Sequence, residues 1–353
     1  MKLVILGDTH FGMRNDSPIF HDLCKDFYGK LLFPYMEEHG IDTIMQLGDL
    51  FDRRKFINFN TLYQCREYFF DVLKQKHYKM MTLLGNHDVY WKNTLDVNST
   101  GLLLKEYSNI HVVSKPSTYK FGDYSVDIIP WICEDNVESI QQFIKESSSR
   151  LCLGHFELSG YEMDIGNYCH DGYDPVNLQK YELVITGHFH HRSIRNNIAY
   201  VGTPTEMTWA DCDDPRGFHV FDTETFDLTF IQNPYTIHRK IYYNDSKLFY
   251  DDVLVQDFSE YKNKYVKLIV TEKKKDIVFD TFVDRLTKAG PHDVNIIEDF
   301  TDTSIASGET IDEADDTMTI LDKYIENAEV DVDKNKLKSI LREVYTEALA
   351  NGA

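Results

Sequence analysis

Five short apolar runs in this chain stop abruptly in residues that hold metals. Residues 3–7 lead into Asp8-Thr9-His10, and residues 44–47 into Gly48-Asp49-Leu50-Phe51-Asp52. Residues 80–84 lead into Gly85-Asn86-His87-Asp88, and residues 151–153 into Gly154-His155-Phe156-Glu157. Residues 183–186 lead into Gly187-His188-Phe189-His190-His191. A buried strand that delivers polar groups to a pocket at its C-terminal end reads this way. Gly-Asn alone also fits an ordinary turn, and turn chemistry favours Gly, Asn, Asp, Ser and Pro. It does not account for His in four of the five tips. His, Asp and Asn bind hard and borderline divalent ions.

Together Asp8, His10, Asp49, Asn86, His155, His188 and His190 offer enough oxygen and nitrogen for two ions. Asp49 is the natural bridge, one carboxylate oxygen to each. The first ion then takes Asp8, His10, Asp49 and His190, and the second takes Asp49, Asn86, His155 and His188. Two ions about 3.5–4 Å apart generate a nucleophile and stabilise the attacking and leaving oxygens at phosphorus. His87 is placed to face the leaving oxygen as an acid, with Asp88 holding its other ring nitrogen. The expected chemistry is metal-assisted hydrolysis of a phosphate ester. Mixed imidazole and carboxylate ligation suits manganese, iron or zinc. Arg53-Arg54-Lys55 follows Asp49 closely and is suited to gripping phosphates, although a solvated charge run looks the same. His191 reads as a solvated neighbour of the last tip.

These tips need strands and helices to position them. A helical stretch is expected over residues 19–39, interrupted at Pro34 and stopped by Gly40. A second spans about residues 60–77, a third begins at a Ser99 cap and runs to about Tyr107, and a fourth spans residues 136–147. Strands separated by helices imply right-handed crossovers and a layered α/β domain. After Ser193 short runs at 194–200, 218–222 and 227–231 suggest a second, more antiparallel sheet. Gln232-Asn233-Pro234 marks a boundary, after which residues 235–300 read as a small α+β unit. Residues 301–316 form an acidic linker. Two helical patterns follow over residues 317–353, the second carrying Leu337, Ile340, Leu341, Val344 and Tyr345 on one face. With little else to pack on, that face suits a partner.

At 353 residues the chain exceeds one average domain, and 42% hydrophobic content supports a core. No apolar run approaches a membrane span, and the first residues read as a strand rather than a leader. The six cysteines are scattered, which fits reduced thiols and no thiolate zinc site. A net charge of −21 argues against a chain that holds nucleic acid by its own field.

The order Asp-x-His, Gly-Asp, Gly-Asn-His-Asp, Gly-His and Gly-His-x-His resembles the calcineurin-like metallophosphoesterase superfamily. Within it, Gly48 to Asp52, Ile128-Ile129-Pro130-Trp131, Gly202-Thr203-Pro204 and Asp214-Pro215-Arg216-Gly217-Phe218 look like the SbcD-type recombination nucleases, particularly their large-bacteriophage members. The resemblance covers residues 1–235 well, and beyond that rests on layout. It implies a two-sheet α/β/β/α sandwich over residues 1–234, a capping and DNA-binding domain over 235–300, and a C-terminal helical pair. It also implies a DNA nuclease with single-strand endonuclease and 3′-to-5′ exonuclease activity, serving recombination, repair and replication. Manganese is the metal that it points to, with magnesium, iron or zinc as alternatives. The implied partners are a second copy, through helices of the phosphoesterase domain, and an SMC-like ATPase of the SbcC type. Its place would be the cytoplasm, that of the host for a phage-encoded chain. Some members of the family carry His where this chain has Asp52, so Asp52 is given no catalytic role. A phosphatase is the rival enzyme, because residues 48–53 approach the protein-phosphatase block; that family, however, has Glu where this chain has Asp88. A non-catalytic scaffold is the remaining alternative, and none of the seven ligands is missing.

Overall fold

The computed structural model describes residues 1–122 and 124–298, with Lys334 and Lys336. The expected acidic linker and the partner-facing Leu337, Ile340, Leu341, Val344 and Tyr345 lie outside the described residues. Strands Lys2–Leu6, Thr43–Gln46, Lys79–Leu83 and Ile110–Val113 lie side by side and parallel. Gly217–Asp222 pairs antiparallel with Lys2–Leu6, and Leu228–Gln232 with Gly217–Asp222, closing a six-stranded sheet. A second six-stranded sheet has Tyr124–Ile129, Leu151–His155, Leu183–Gly187 and Ile198–Tyr200 parallel at its centre. Ser117–Phe121 and Ser193–Arg195 are its antiparallel edges.

The strands after Ser193 therefore do not make a sheet of their own, as their sequence texture suggests. Ile198–Tyr200 extends the second sheet, and Gly217–Asp222 crosses to the first. Alternation tells a strand which face to bury and not which neighbour to pair with. The free edge of Lys2–Leu6 carries backbone groups that need partners, and Gly217–Asp222 satisfies them.

Alternation also builds the layers. Leu3 and Ile5 face Met45, Leu83, Val126, Leu153 and Ile185 in a core between the two sheets. Val4 and Leu6 face the other way, into an aromatic core with Phe11, Tyr28, Phe69 and Phe70. On the far side of the second sheet, Ile140 and Ile144 of helix Val137–Glu146 pack on Cys152, Val184 and Tyr200. The order is helix, sheet, sheet, helix.

Pro34 does not break its helix. Pro18–Phe27 passes through a π-turn at Tyr28–Leu32 into Phe33–Glu38. A widened turn just ahead of proline accommodates its missing donor. The third helix is capped by Asn98, whose Oδ1 accepts from the Gly101 N–H at 2.8 Å, and ends at Leu103. Ser99, the expected cap, is otherwise engaged: its hydroxyl donates to the Asp88 carbonyl at 3.2 Å.

His238–Asn244, Tyr265–Glu272 and Asp293–Glu298 form a third sheet, all parallel. Helices Tyr250–Val255 and Asp276–Lys288 lie in its crossovers, as parallel pairing requires. Val253, Leu268, Phe279, Phe282 and Leu286 form its core. Among the described residues, no helix is long and apolar enough to cross a membrane.

Candidate metal centre

The parallel strands of both large sheets end at one pole, and all five tips meet there. Asp8 and His10 follow Lys2–Leu6. The backbone N–H groups of Thr9 and His10 donate to the Asp49 carbonyl at 3.2 and 3.0 Å, joining the first two tips. The space between tips is tight. A Cβ on Gly85 would lie 2.2 Å from Asp49 Oδ1, and one on Gly187 2.4 Å from Asp8 Oδ1. His10 (φ 42°), Asp49 (φ 50°) and His188 (φ 88°) all have left-handed backbones. For non-glycine residues that conformation is strained, and such strain gathers at functional sites.

Three groups of side chains bring ligand atoms within 4.8 Å of one another: Asp8, His10 and His190; Asp49, His155 and His188; and His10, Asp52 and His87. Asp49 Oδ2 stands between the first two, 3.8 Å from His10 Nε2 and 3.4 Å from His155 Nε2. Asn86 Oδ1 joins the second group at 3.0 Å from His155 Nε2 and 2.9 Å from His188 Nδ1.

The donor chemistry fits cations. His155 Nδ1 is 2.7 Å from the Leu47 carbonyl and donates to it. Its Nε2 lone pair then faces two oxygens, Asp49 Oδ2 and Asn86 Oδ1, an arrangement that only a proton or a metal satisfies. His10 Nε2 and His190 Nε2 face each other at 3.2 Å in the same way. The titration behaviour agrees. Burial, only partly offset by His155, pushes the Asp8 carboxyl up to about 7. Burial also resists ionisation of Asp49, but His155 and His10 hold it below the usual carboxylate range. Burial likewise opposes charge on His155, yet Asp49 and Asp8 raise it to about 9. Burial, with His155 adding to it, lowers His188 to about 3. Protons here occupy places for which metal ions compete.

A family model described as calcineurin-like phosphoesterase matches residues 1–192. The chain belongs to this family. It is 35% identical over 354 residues to exonuclease subunit 1 of Enterobacteria phage T4, with 99% of each chain covered. Two solved structures are similar at low level. An archaeal phosphodiesterase shares 11% identity over 66% of this chain and 100% of that chain, with a TM-score of 0.35. A protein of unknown function from Aquifex aeolicus shares 17% identity over 44% of this chain and 77% of that chain, with a TM-score of 0.29. At such TM-scores neither likeness bears on the function of this chain.

In this phosphoesterase, Asp88 does not hold His87. The His87 Nδ1 lies 2.5 Å from the backbone carbonyl of Asp52, to which it donates. Asp88 is buried and turned inward, accepting from Gly85 N–H at 2.9 Å and Leu50 N–H at 3.0 Å. It ties the Asn86 tip to the Asp49 tip. Adjacency in sequence suggests a dyad, but the Gly85 turn points the two side chains apart. Asp52 has a part after all: its carboxylate lies 3.4 Å from His10 Nδ1, directing Nε2 of that ring toward Asp49 and His190. Only its chemical type discouraged the assignment, whereas the position needs one carbonyl and one carboxylate.

Arg53 is already occupied. It donates to Asn15 Oδ1 at 2.8 Å and pairs with Asp16 at 3.2 Å. Arg54 and Lys55 line a cavity with Phe51, Phe56 and Tyr90. Arg216, not foreseen as functional, is buried with its guanidinium on the His190 carbonyl, Thr203 Oγ1, Asp211 and Asp214. It fixes the backbone that presents His190. The sequence signal is an arginine within five residues of three acids in a strand-leading loop. His191 is half-buried against Asp214 at 2.9 Å rather than solvated. Trp131 packs its ring 5.1 Å from that of His188.

Proposed function

We propose that this phosphoesterase is a metal-dependent DNA nuclease, cutting single strands internally and degrading 3′ ends. The observation that carries the hydrolytic part is Asp49 Oδ2, shared between two buried ligand groups. Two divalent ions, manganese first among them, would be held by Asp8, His10, Asp49 and His190 and by Asp49, Asn86, His155 and His188. Bound there, they supply Lewis acidity at the phosphoryl oxygen and lower the pKa of water. DNA as substrate is supported by 35% identity across 99% of a phage exonuclease subunit.

The chain's own residues do the rest. Asp52 and Leu47 set the tautomers of His10 and His155 through Nδ1. Burial holds the His87 imidazole below its ordinary value. With Nδ1–H given to Asp52, its Nε2 is open to substrate. A phosphate oxyanion alongside favours the protonated ring, which then donates to the leaving oxygen. Arg54 and Lys55 lie close enough in the chain to Asp49 to take a neighbouring phosphate.

A second copy and an SMC-like ATPase complete the reading. Phe59, Tyr63 and Leu102 are 87%, 59% and 60% exposed on two short helices, apolar side chains that suit a homodimer contact. Residues 317–353 are assigned to the ATPase, which would supply the grip that a charge of −21 denies this chain. Asp49→Ala and His87→Ala should each reduce manganese-dependent cleavage of single-stranded DNA to background with the fold intact by circular dichroism. Full cleavage by both would sink the mechanism. Activity on a nitrophenyl monoester without activity on DNA would favour a phosphatase.

A further inference from the structure

A cavity of about 310 Å³ opens between the phosphoesterase core and the third sheet, and none of the metal ligands lines it. Its size is at the lower end for small-ligand pockets. Arg14, Ser17 and Phe20 reach it from the segment just after His10, Trp209 from the loop before Arg216, and His238 and Tyr265 from the third sheet. Four of these six side chains are aromatic rings.

The lining is preformed. Phe20 and His238 are buried. Glu206 Oε2 accepts from the His238 N–H at 2.8 Å and lies 3.2 Å from its Nδ1. Tyr265 lies against both rings, 27° from Phe20 and 26° from His238. Trp209 sits 4.7 Å from His238, and the ammonium of Lys267 lies 4.3 Å from its ring centroid. Trp209 and Tyr265 are only partly buried, so ring surface stays open.

Arg14 is exposed, and among the described residues it has no hydrogen-bond or ion-pair partner. Arg14, Asn15 and Asp16 are three successive left-handed residues, with φ of 54°, 59° and 59°. Arg53 on Asn15 and Asp16, and the Thr61 hydroxyl on Asp16 at 2.8 Å, hold that turn. The surroundings thus over-determine a strained segment whose free cation stands at the cavity.

We infer that this cavity receives one unpaired nucleobase of a single DNA strand, stacked on Trp209 and Tyr265, with Arg14 on an adjoining phosphate. This rests on the nuclease reading. A nucleobase offers a flat face to aromatic rings whatever its identity. Asp293 also lines the cavity and offers a carboxylate acceptor to an exocyclic amine. A paired base keeps both faces covered within the helical stack, so a site that stacks one base favours strands that are already unpaired. Arg14 is four residues from His10, at most about 14 Å along the chain. A strand with its phosphate at the metal ligands has a near neighbour within that reach.

The test is an abasic scan with the full-length, manganese-loaded protein, measuring KM and kcat on a short single-stranded oligonucleotide. One abasic position should raise KM about tenfold, within the range for stacking one base. Trp209→Ala should raise KM similarly on the intact strand and remove the abasic effect, with Trp209→Phe restoring most of it. Arg14→Ala, at an exposed position, should raise KM with the abasic effect retained. Hydrolysis of a bis-nitrophenyl ester should be unchanged in all three. Free deoxynucleoside monophosphate that competes as strongly as the strand would reassign the cavity to product and overturn the strand reading. An abasic scan that is flat in wild-type protein, or that persists in Trp209→Ala, overturns the inference while leaving the nuclease assignment intact. Absence of any DNA cleavage by wild-type protein overturns both.

Discussion

The metal pole and the third sheet face the same physical problem and solve it differently. Each gathers the C-terminal ends of parallel strands, and each places a carboxylate there. At the third sheet Asp245 follows strand His238–Asn244 and accepts from the Lys274 N–H at 2.9 Å and the Lys275 N–H at 2.7 Å. It is shielded from solvent, yet burial is outweighed by these donors, and its carboxyl is held below the ordinary range. Among the described residues Asp8 receives only the His188 N–H, 3.1 Å from each oxygen, and burial pushes it up to about 7. One carboxylate is satisfied by the chain; the other is left wanting a cation. Burial alone does not separate a structural acid from a ligand. Supply of donors does.

Asp8→Asn gives the largest contrast. Manganese-dependent cleavage should fall to the metal-free background. In metal-free protein the same substitution removes a poorly compensated buried charge, and the melting temperature should rise by about 2 °C. Calorimetry with and without manganese reads both signs, and a metal-free variant less stable than wild type would break the comparison. Asp245→Ala should do the opposite. It strands two backbone donors and costs about 2 kcal/mol in urea unfolding, with manganese affinity by titration calorimetry unchanged. A fall in affinity would mean that the two poles are coupled.

The smallest effect is in pH. A carboxyl held below its unfolded value near 3.9 adds stability above that pH, and this is lost as pH falls through the lower folded value. The stability gap between wild type and Asp245→Ala should be constant from pH 7 to about 5 and narrow below about 4. A gap that widens on acidification would show that Asp245 is not held as a carboxylate.

The same contrast explains what was legible in the sequence. Ligands at strand tips announce themselves, because Asp, His and Asn interrupt runs such as Leu183 to Thr186 that otherwise belong to a core. Asp245 gives no such signal, since Asn244-Asp245-Ser246 is ordinary turn composition. Asp88 and Asp52 show a further limit. Which carboxylate serves His87 depends on the direction of the Gly85 turn, and the answer is a backbone carbonyl that no residue type encodes. Arg53 looks free until Asn15 and Asp16, thirty-seven or more residues earlier, come within reach. A layered α/β domain followed from strands alternating with helices, and the two-sheet order from the family resemblance. The destination of Gly217–Asp222 did not, because pairing with Lys2–Leu6 is decided across the whole chain.

That pairing bears on how the protein is made. Lys2–Leu6 leaves the ribosome some two hundred residues ahead of Gly217–Asp222, one of its two neighbours. His190, which shares a ligand group with Asp8 and His10, also comes late. At about 5–20 residues per second, some 10–40 s separate that strand from its later neighbour. Through that interval the nascent chain carries Asp8 and His10 without their companion, beside an unpaired strand edge. The metal group containing His190 is therefore a late event in synthesis, completed shortly before the strand that closes the sheet.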